Sequence, residues 1–427
     1  MEKKYTVAII GVGARGGNVY GRLIKSFPDR FEIVALCDTR AQRLQTFGEE
    51  FGVPKNLRFL DENEFFQEKR ADLLVIATQD SDHVRHCLKA FEVGYDIMME
   101  KPITDKKEEC LQVLDAQKKS GCKALVCHVL RYAPAFLKVA ELLQNGDIGR
   151  LVNIESLERV TYWHQSHSYV RGNWRTTRET APMILAKCCH DLDLIQFYAG
   201  SKCTSVSSIG DLTYFNKANQ PEGASDRCLS CKYVDTCPYS AKTLYLERWK
   251  KAYSPEDYWP YNVLVPAPVT EEKLTKALKE GPYGRCVFAC DNDVVDNQIT
   301  LMQFENGVKA TLTMTAFTTD DQSELYGLGR RMHFHGTLGE IVLDELCDTV
   351  ELMQFGKAKQ TFKINALGDN GYGHGGGDFY LIKELCNMLE GKSTAATSLT
   401  ASIESHLMGI CAEESRLKSG ERILVHE

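Results

Sequence analysis

The chain has 427 residues, 43% hydrophobic and 26% charged, an ordinary globular composition whose length suggests about two to three domains without help from disulfides. Its net charge is -7 and it has no long basic run, so nucleic acid and anionic membrane are poor partners and a small molecule fits better. No apolar run reaches the ~20 residues of a membrane span and no apolar leader precedes the first strand. These features point to the cytoplasm, where most of the 16 cysteines stay reduced.

Residues 1–130 alternate short β-rich runs with amphipathic runs of helix length. Strands are expected at Tyr5–Gly11, Phe31–Asp38, Leu73–Thr78, Tyr95–Glu100 and Lys123–His128, and helices at Gly16–Phe27, Arg40–Phe51, Asp82–Val93 and Asp105–Ser120. Near-continuous apolar strands such as Val7–Ile10 suit a parallel sheet buried on both faces, so this half reads as a Rossmann-type doubly wound domain. The pattern changes in residues 131–427. Ala181–Tyr198 reads as one helix, while strands from Cys203 onward follow one another without crossovers, the sign of an α+β domain with a mostly antiparallel open sheet. Residues 213–293 interrupt these strands as an insertion rich in Tyr, Pro, Lys and Cys.

Gly11-Val12-Gly13-Ala14-Arg15-Gly16 follows the first strand and opens a helix. Its glycines allow the tight turn, the approach of backbone to a pyrophosphate and close helix packing. Asp38 ends the second strand at the distance where a carboxylate meets ribose hydroxyls, which favours NAD; Arg40 and Arg43 nearby leave NADP open.

Ala77-Thr78-Gln79-Asp80-Ser81-Asp82-His83 and Glu100-Lys101-Pro102 end later strands, and Leu130-Arg131-Tyr132-Ala133-Pro134 and His190-Asp191-Leu192-Asp193 lie further on. With the glycine fingerprint, these motifs resemble the glucose-fructose oxidoreductase/inositol dehydrogenase/MocA family, over all but the insertion. The resemblance implies an NAD-dependent oxidoreductase acting on a secondary hydroxyl of a carbohydrate or polyol, packed as a homodimer or homotetramer. Thr78, Gln79, His83, Glu100 and Lys101 would border the cofactor, with Lys101 orienting the reacting oxygen and His190 taking its proton. A carboxylate found one turn before this histidine in inositol dehydrogenases is Ala186 here, and Lys187 is expected on nearly the same helical face as His190. That departure keeps two other readings alongside dehydrogenation: glycoside cleavage with NAD recycled, and a non-catalytic NAD-binding sensor. Arg131, Tyr169, Trp174, Arg175 and His374 are candidate substrate contacts, and Asp378 a candidate helix N-cap.

Cys228, Cys231 and Cys237 form C-x2-C-x5-C, and Cys286 and Cys290 return near the end of the insertion. Three thiolates plus Cys286, or Cys290 in its place, would make a structural zinc site or hold an iron–sulfur cluster, stabilising a segment read as poor in core residues; free thiols or a local disulfide are the alternatives. Nothing near them supplies the open coordination position of a catalytic metal.

Overall fold

The structure, a computed structural model, describes residues 3–251, 259–266, 268–319, 329–368 and 373–426. Its first sheet is parallel and six-stranded: β1 (Tyr5–Ile10), β2 (Phe31–Cys37), β3 (Arg58–Phe59), β4 (Leu73–Ile76), β5 (Asp96–Met99) and β6 (Ala124–Val126) lie in the order β3-β2-β1-β4-β5-β6. The apolar strands are covered on both faces, and β4 is buried at every position. The order reverses between β1 and β4, and the loops leaving β1, β4 and β5 at their carboxyl ends converge on that crevice.

The second sheet has nine strands: β7 (Leu151–Arg159), β8 (Cys203–Asp211), β9 (Asn297–Phe304), β10 (Lys309–Thr315), β11 (Gly329–Gly336), β12 (Gly339–Asp344), β13 (Thr349–Gln354), β14 (Gln360–Lys363) and β15 (Ile423–Leu424). All its pairings are antiparallel except β7 with β10. Residues of β9 alternate between core and solvent, and the outer face exposes Ile209, Ile299 and Leu301. The inner face packs against helices Cys189–Ala199 and Leu399–Leu417. Among the described residues no helix is long and apolar enough to cross a membrane.

The insertion is not poor in core residues. Leu244, Tyr245, Tyr261, Leu274, Leu278 and Tyr283 pack around Trp163 in a hydrophobic cluster separate from the main core. Large aromatics, each burying much apolar area, supply what a strand-free segment otherwise lacks. A second small cluster joins Phe215, Cys286, Val287 and Phe288 to Val170.

Candidate active site

At the cofactor end, Gly11 adopts φ +85°, and a Cβ there would strike the Ala77 carbonyl; a Cβ on Gly16 would strike the Gly11 carbonyl. The following segment, Ala14–Gly21, is wound more widely than an α-helix, and Ala14 is exposed at its start. Asp38 is buried at the end of β2 and accepts the Arg40 N–H at 2.8 Å. The Arg43 guanidinium reaches the same carboxylate at 3.5 Å and lies 3.2 Å from where a Cβ on Gly13 would stand. Asp38 and Arg43 therefore stand side by side at the end of β2, with the Arg43 guanidinium next to Gly13.

Gln79 is exposed, and its carbonyl accepts from Asp82 N–H at 2.9 Å in the turn after β4. Thr78 Oγ1 lies 3.0 Å from His86 Nδ1. His83 spans two loops, with Nδ1 2.7 Å from the Pro102 carbonyl and Nε2 3.3 Å from the Thr78 carbonyl. It braces the turn carrying Lys101. The backbone N–H of Ile103, just beyond, donates to His406 Nε2 at 2.8 Å, while His406 Nδ1 donates to the Ser402 carbonyl.

Lys101 Nζ donates to the Ala186 carbonyl at 3.0 Å, across the crevice from its own domain. Burial alone would lower this ammonium, but Cys189, Glu100 and Asp80 outweigh it and hold Lys101 above its ordinary value. It stays charged. Glu100 accepts the Lys101 N–H at 3.0 Å, Arg15 Nε at 2.7 Å and the Tyr20 hydroxyl at 2.6 Å. Burial would raise Glu100, yet Arg15 and Lys101 hold it below the usual carboxylate range.

Arg15 departs from the expectation that it serves the cofactor. Its guanidinium turns inward to Glu100 and, at 2.6 Å, to the fully buried carboxylate of Asp378. Asp378 is correspondingly not the N-cap of its helix. Gly376 caps Gly377–Leu389, leaving Asp378 in the first turn, where it also meets His374 Nδ1 at 3.0 Å.

The expected single helix from Ala181 to Tyr198 is two helices, Met183–Ala186 and Cys189–Ala199, broken at Lys187–Cys188. Lys187 therefore does not share a helical face with His190. It pairs instead with the buried Glu158 of β7 at 3.2 Å, and Glu158 meets Arg330 at 2.7 Å. Arg330 also holds Asp191, at 2.9 and 3.3 Å. Asp191 is pushed up by burial and by the charge of Glu158, although Arg330 opposes this.

His190 is buried, and its Nδ1 has no hydrogen-bond partner among the described residues. Burial, then Lys101, Arg330, His374 and His128, hold it well below its ordinary value, so its imidazole is neutral near pH 7. Its ring centre lies 5.8 Å from that of His374 and 6.0 Å from that of His128. His374 has φ +56°, a left-handed conformation uncommon for a residue with a Cβ.

The other candidates divide. Tyr169 is buried beside His164, with ring centres 5.7 Å apart. Trp174 Nε1 donates to Asp80 at 3.1 Å, joining the second domain to the loop after β4. Arg131 is not a cleft residue: it makes two 2.6 Å contacts to Asp193 and one of 3.0 Å to the Ala396 carbonyl. Arg175 is likewise turned away, to Asp291 at 2.9 Å and Glu179 at 3.1 Å. Sequence reasoning missed Asp80, Cys189 and His128. Asp80 sat inside a quoted motif and Cys189 beside His190, but His128 carried no signal beyond ending a strand.

Cys228, Cys231, Cys237 and Cys286 line a single cavity of about 180 Å³, whereas Cys290 points its Sγ to the Cys286 carbonyl at 3.2 Å and is not among the lining residues. Among the described residues the one trio of ligand atoms within 4.8 Å of one another is Glu155, His333 and His335. His333 Nε2 lies 2.8 Å from Glu340, and His335 lies 3.5 Å from Glu155 and 3.7 Å from Glu340.

Residues 5–128 match the family model described as "Oxidoreductase family, NAD-binding Rossmann fold", and residues 140–419 its companion, "Oxidoreductase family, C-terminal alpha/beta domain". The chain is 23% identical over 398 residues to the putative oxidoreductase YteT of Bacillus subtilis, covering 89% of this chain and 88% of that one. It is 26% identical over 228 residues to an inositol 2-dehydrogenase of Arthrobacter, a match covering 53% of this chain and 62% of that enzyme. Among solved structures, the WlbA dehydrogenase of Bordetella pertussis, in complex with NADH and UDP-GlcNAcA, superposes with a TM-score of 0.71 at 16% identity. That match covers 99% of this chain and 98% of the other.

Proposed function

Because the chain belongs to the Gfo/Idh/MocA family of NAD-binding oxidoreductases, we propose that it oxidises a secondary hydroxyl of a sugar, polyol or sugar derivative. The observation that carries this reading is His190: a buried, neutral imidazole with an unpartnered Nδ1, beside a lysine held charged. The tight glycine turn, in which a Cβ on Gly11 or Gly16 would strike a backbone carbonyl, fits the close approach of backbone to a dinucleotide. Bound NAD supplies the hydride acceptor. Lys101 orients the substrate hydroxyl and stabilises negative charge developing on its oxygen, and His190 accepts the proton. Glu100 and His83 hold the turn that presents Lys101. NAD is favoured over NADP by Asp38, with Arg43 as the group that would relax the preference. A panel of sugars and polyols with NAD, read at the reduced-nicotinamide absorbance, tests the reaction; a panel in which no member gives turnover would overturn it.

A second reading has support in the His190–His374 pair. Cleavage of a glycoside with NAD recycled needs a proton removed from carbon after the oxidation step, and a second imidazole 5.8 Å from the first offers such a base. Product release without net reduced nucleotide distinguishes it. The sixteen unbridged cysteines accord with a cytoplasmic location. Self-association as a homodimer or homotetramer would use the outer sheet face bearing Ile209, Ile299 and Leu301.

A further inference from the structure

Arg171 closes the buried segment Gln165–Arg171 and is 1% exposed. Its Nε donates to the Arg285 carbonyl at 2.7 Å, and one terminal nitrogen donates to the Tyr239 carbonyl at 2.7 Å and to Cys228 Sγ at 3.4 Å. The other terminal nitrogen, Nη1, is buried without a partner, and among the described residues no carboxylate pairs with Arg171. A guanidinium cannot shed its proton in response to burial, so an isolated one is costly unless an anion meets it. Arg171 lines the cavity of about 180 Å³ whose wall carries Cys228, Cys231, Cys237 and Cys286. Gln220 Nε2 approaches the Cys286 sulfur at 3.9 Å. The thiols are the one available source of negative charge on that wall.

The spacing of the sulfurs favours a larger group over a single ion. Tetrahedral zinc with Zn–S bonds of about 2.3 Å brings its sulfurs to about 3.8 Å from one another. No three of these sulfurs lie within 4.8 Å of one another, wider than one zinc ion holds its thiolates. Thiolates at the corners of a multi-iron cluster stand further apart than those on one ion. We propose that Cys228, Cys231, Cys237 and Cys286 ligate a four-iron, four-sulfide cluster, with Arg171 as its buried counter-ion. The core takes two ferrous ions, two ferric ions and four sulfides, so that no electron is transferred in assembly, and each thiol gives its proton to solvent. Four thiolates around a core of charge +2 leave a net charge of -2 facing the guanidinium. Arg171 and Gln220 donate N–H groups to the sulfurs, as ligating thiolates require. The cluster ties the beginning of the insertion to its end and both to the segment that Arg171 closes.

The full chain, purified without oxygen and reconstituted with equal parts of ferrous and ferric iron and with sulfide, is assayed for iron, acid-labile sulfide and visible absorption. About four of each per chain are expected, with a broad band at about 400 nm that dithionite bleaches. Cys237→Ser and Cys286→Ser should lose most of the iron, and Cys290→Ser should keep it. Should the first two variants fail to fold, the unmodified chain decides alone. Less than one iron per chain after reconstitution, one equivalent of zinc without sulfide, or four thiols that still react with an alkylating reagent would each overturn the proposal. None of these readouts depends on sugar oxidation.

Discussion

At the cleft, Arg15 meets Glu100 and Asp378, and Arg330 meets Glu158 and Asp191; in the insertion, Arg171 meets two carbonyls and a sulfur. All are held in the interior or at its edge, yet only the first two are neutralised by carboxylates of the same chain. The cleft's charge balance is therefore complete as soon as the chain folds. That of the insertion is complete only when its thiols are ionised. Buried cations serve two uses here: Arg15 and Arg330 fix one domain or strand against another, while Lys101 keeps its ammonium directed into the crevice.

The sharpest way to break this contrast is at Lys101. Lys101→Met should lower kcat about 1,000-fold while the NAD dissociation constant, measured by fluorescence titration, stays within about threefold. An unchanged kcat would move the chemistry elsewhere. Asp378→Asn leaves Arg15 short of one carboxylate and should destabilise the fold by about 3 kcal/mol, read from urea unfolding. Asp38→Ser, which frees Arg43, should shift the NADP-to-NAD ratio of kcat/KM about tenfold toward NADP.

The smallest expected effect is a flat pH response. Because burial and then Lys101 hold His190 well below its ordinary value, kcat/KM should change less than about twofold between pH 7.5 and pH 6. Stability behaves differently. Burial holds His167 and His406 at about 3, while in the unfolded chain they take up protons at about 6.5. The unfolded state thus binds more protons below about pH 6.5, and stability, full above that value, is lost as pH falls toward 3. Urea midpoints that fail to decline between pH 6.5 and pH 4.5 would contradict this.

The first sheet was legible because its strands are apolar runs and its helices amphipathic, so local pattern and tertiary burial agree; only the two-residue edge strand β3 escaped notice. The glycine turn and the Lys101 turn were readable for the same reason, each following a buried strand. Lys187 was misplaced because nothing after Pro182 marks a helix break: Lys187 itself, with φ -108°, ends one helix and Cys188 begins the next. Arg15 and Asp378 lie 363 positions apart, and Arg131 and Asp193 lie 62 apart, distances over which periodicity carries no information. In the insertion the cysteine spacing was visible, but which of Cys286 and Cys290 joins the others depends on a turn that the sequence does not specify.

The contact between Ile103 and His406 has a consequence for the order in which the site is made during synthesis. The turn presenting Lys101 is translated early, yet one of the groups that hold it, His406, follows 303 positions later. A nascent chain can thus complete its nucleotide fold, with His83 and Glu100 already on that turn, long before the His406 contact can be added.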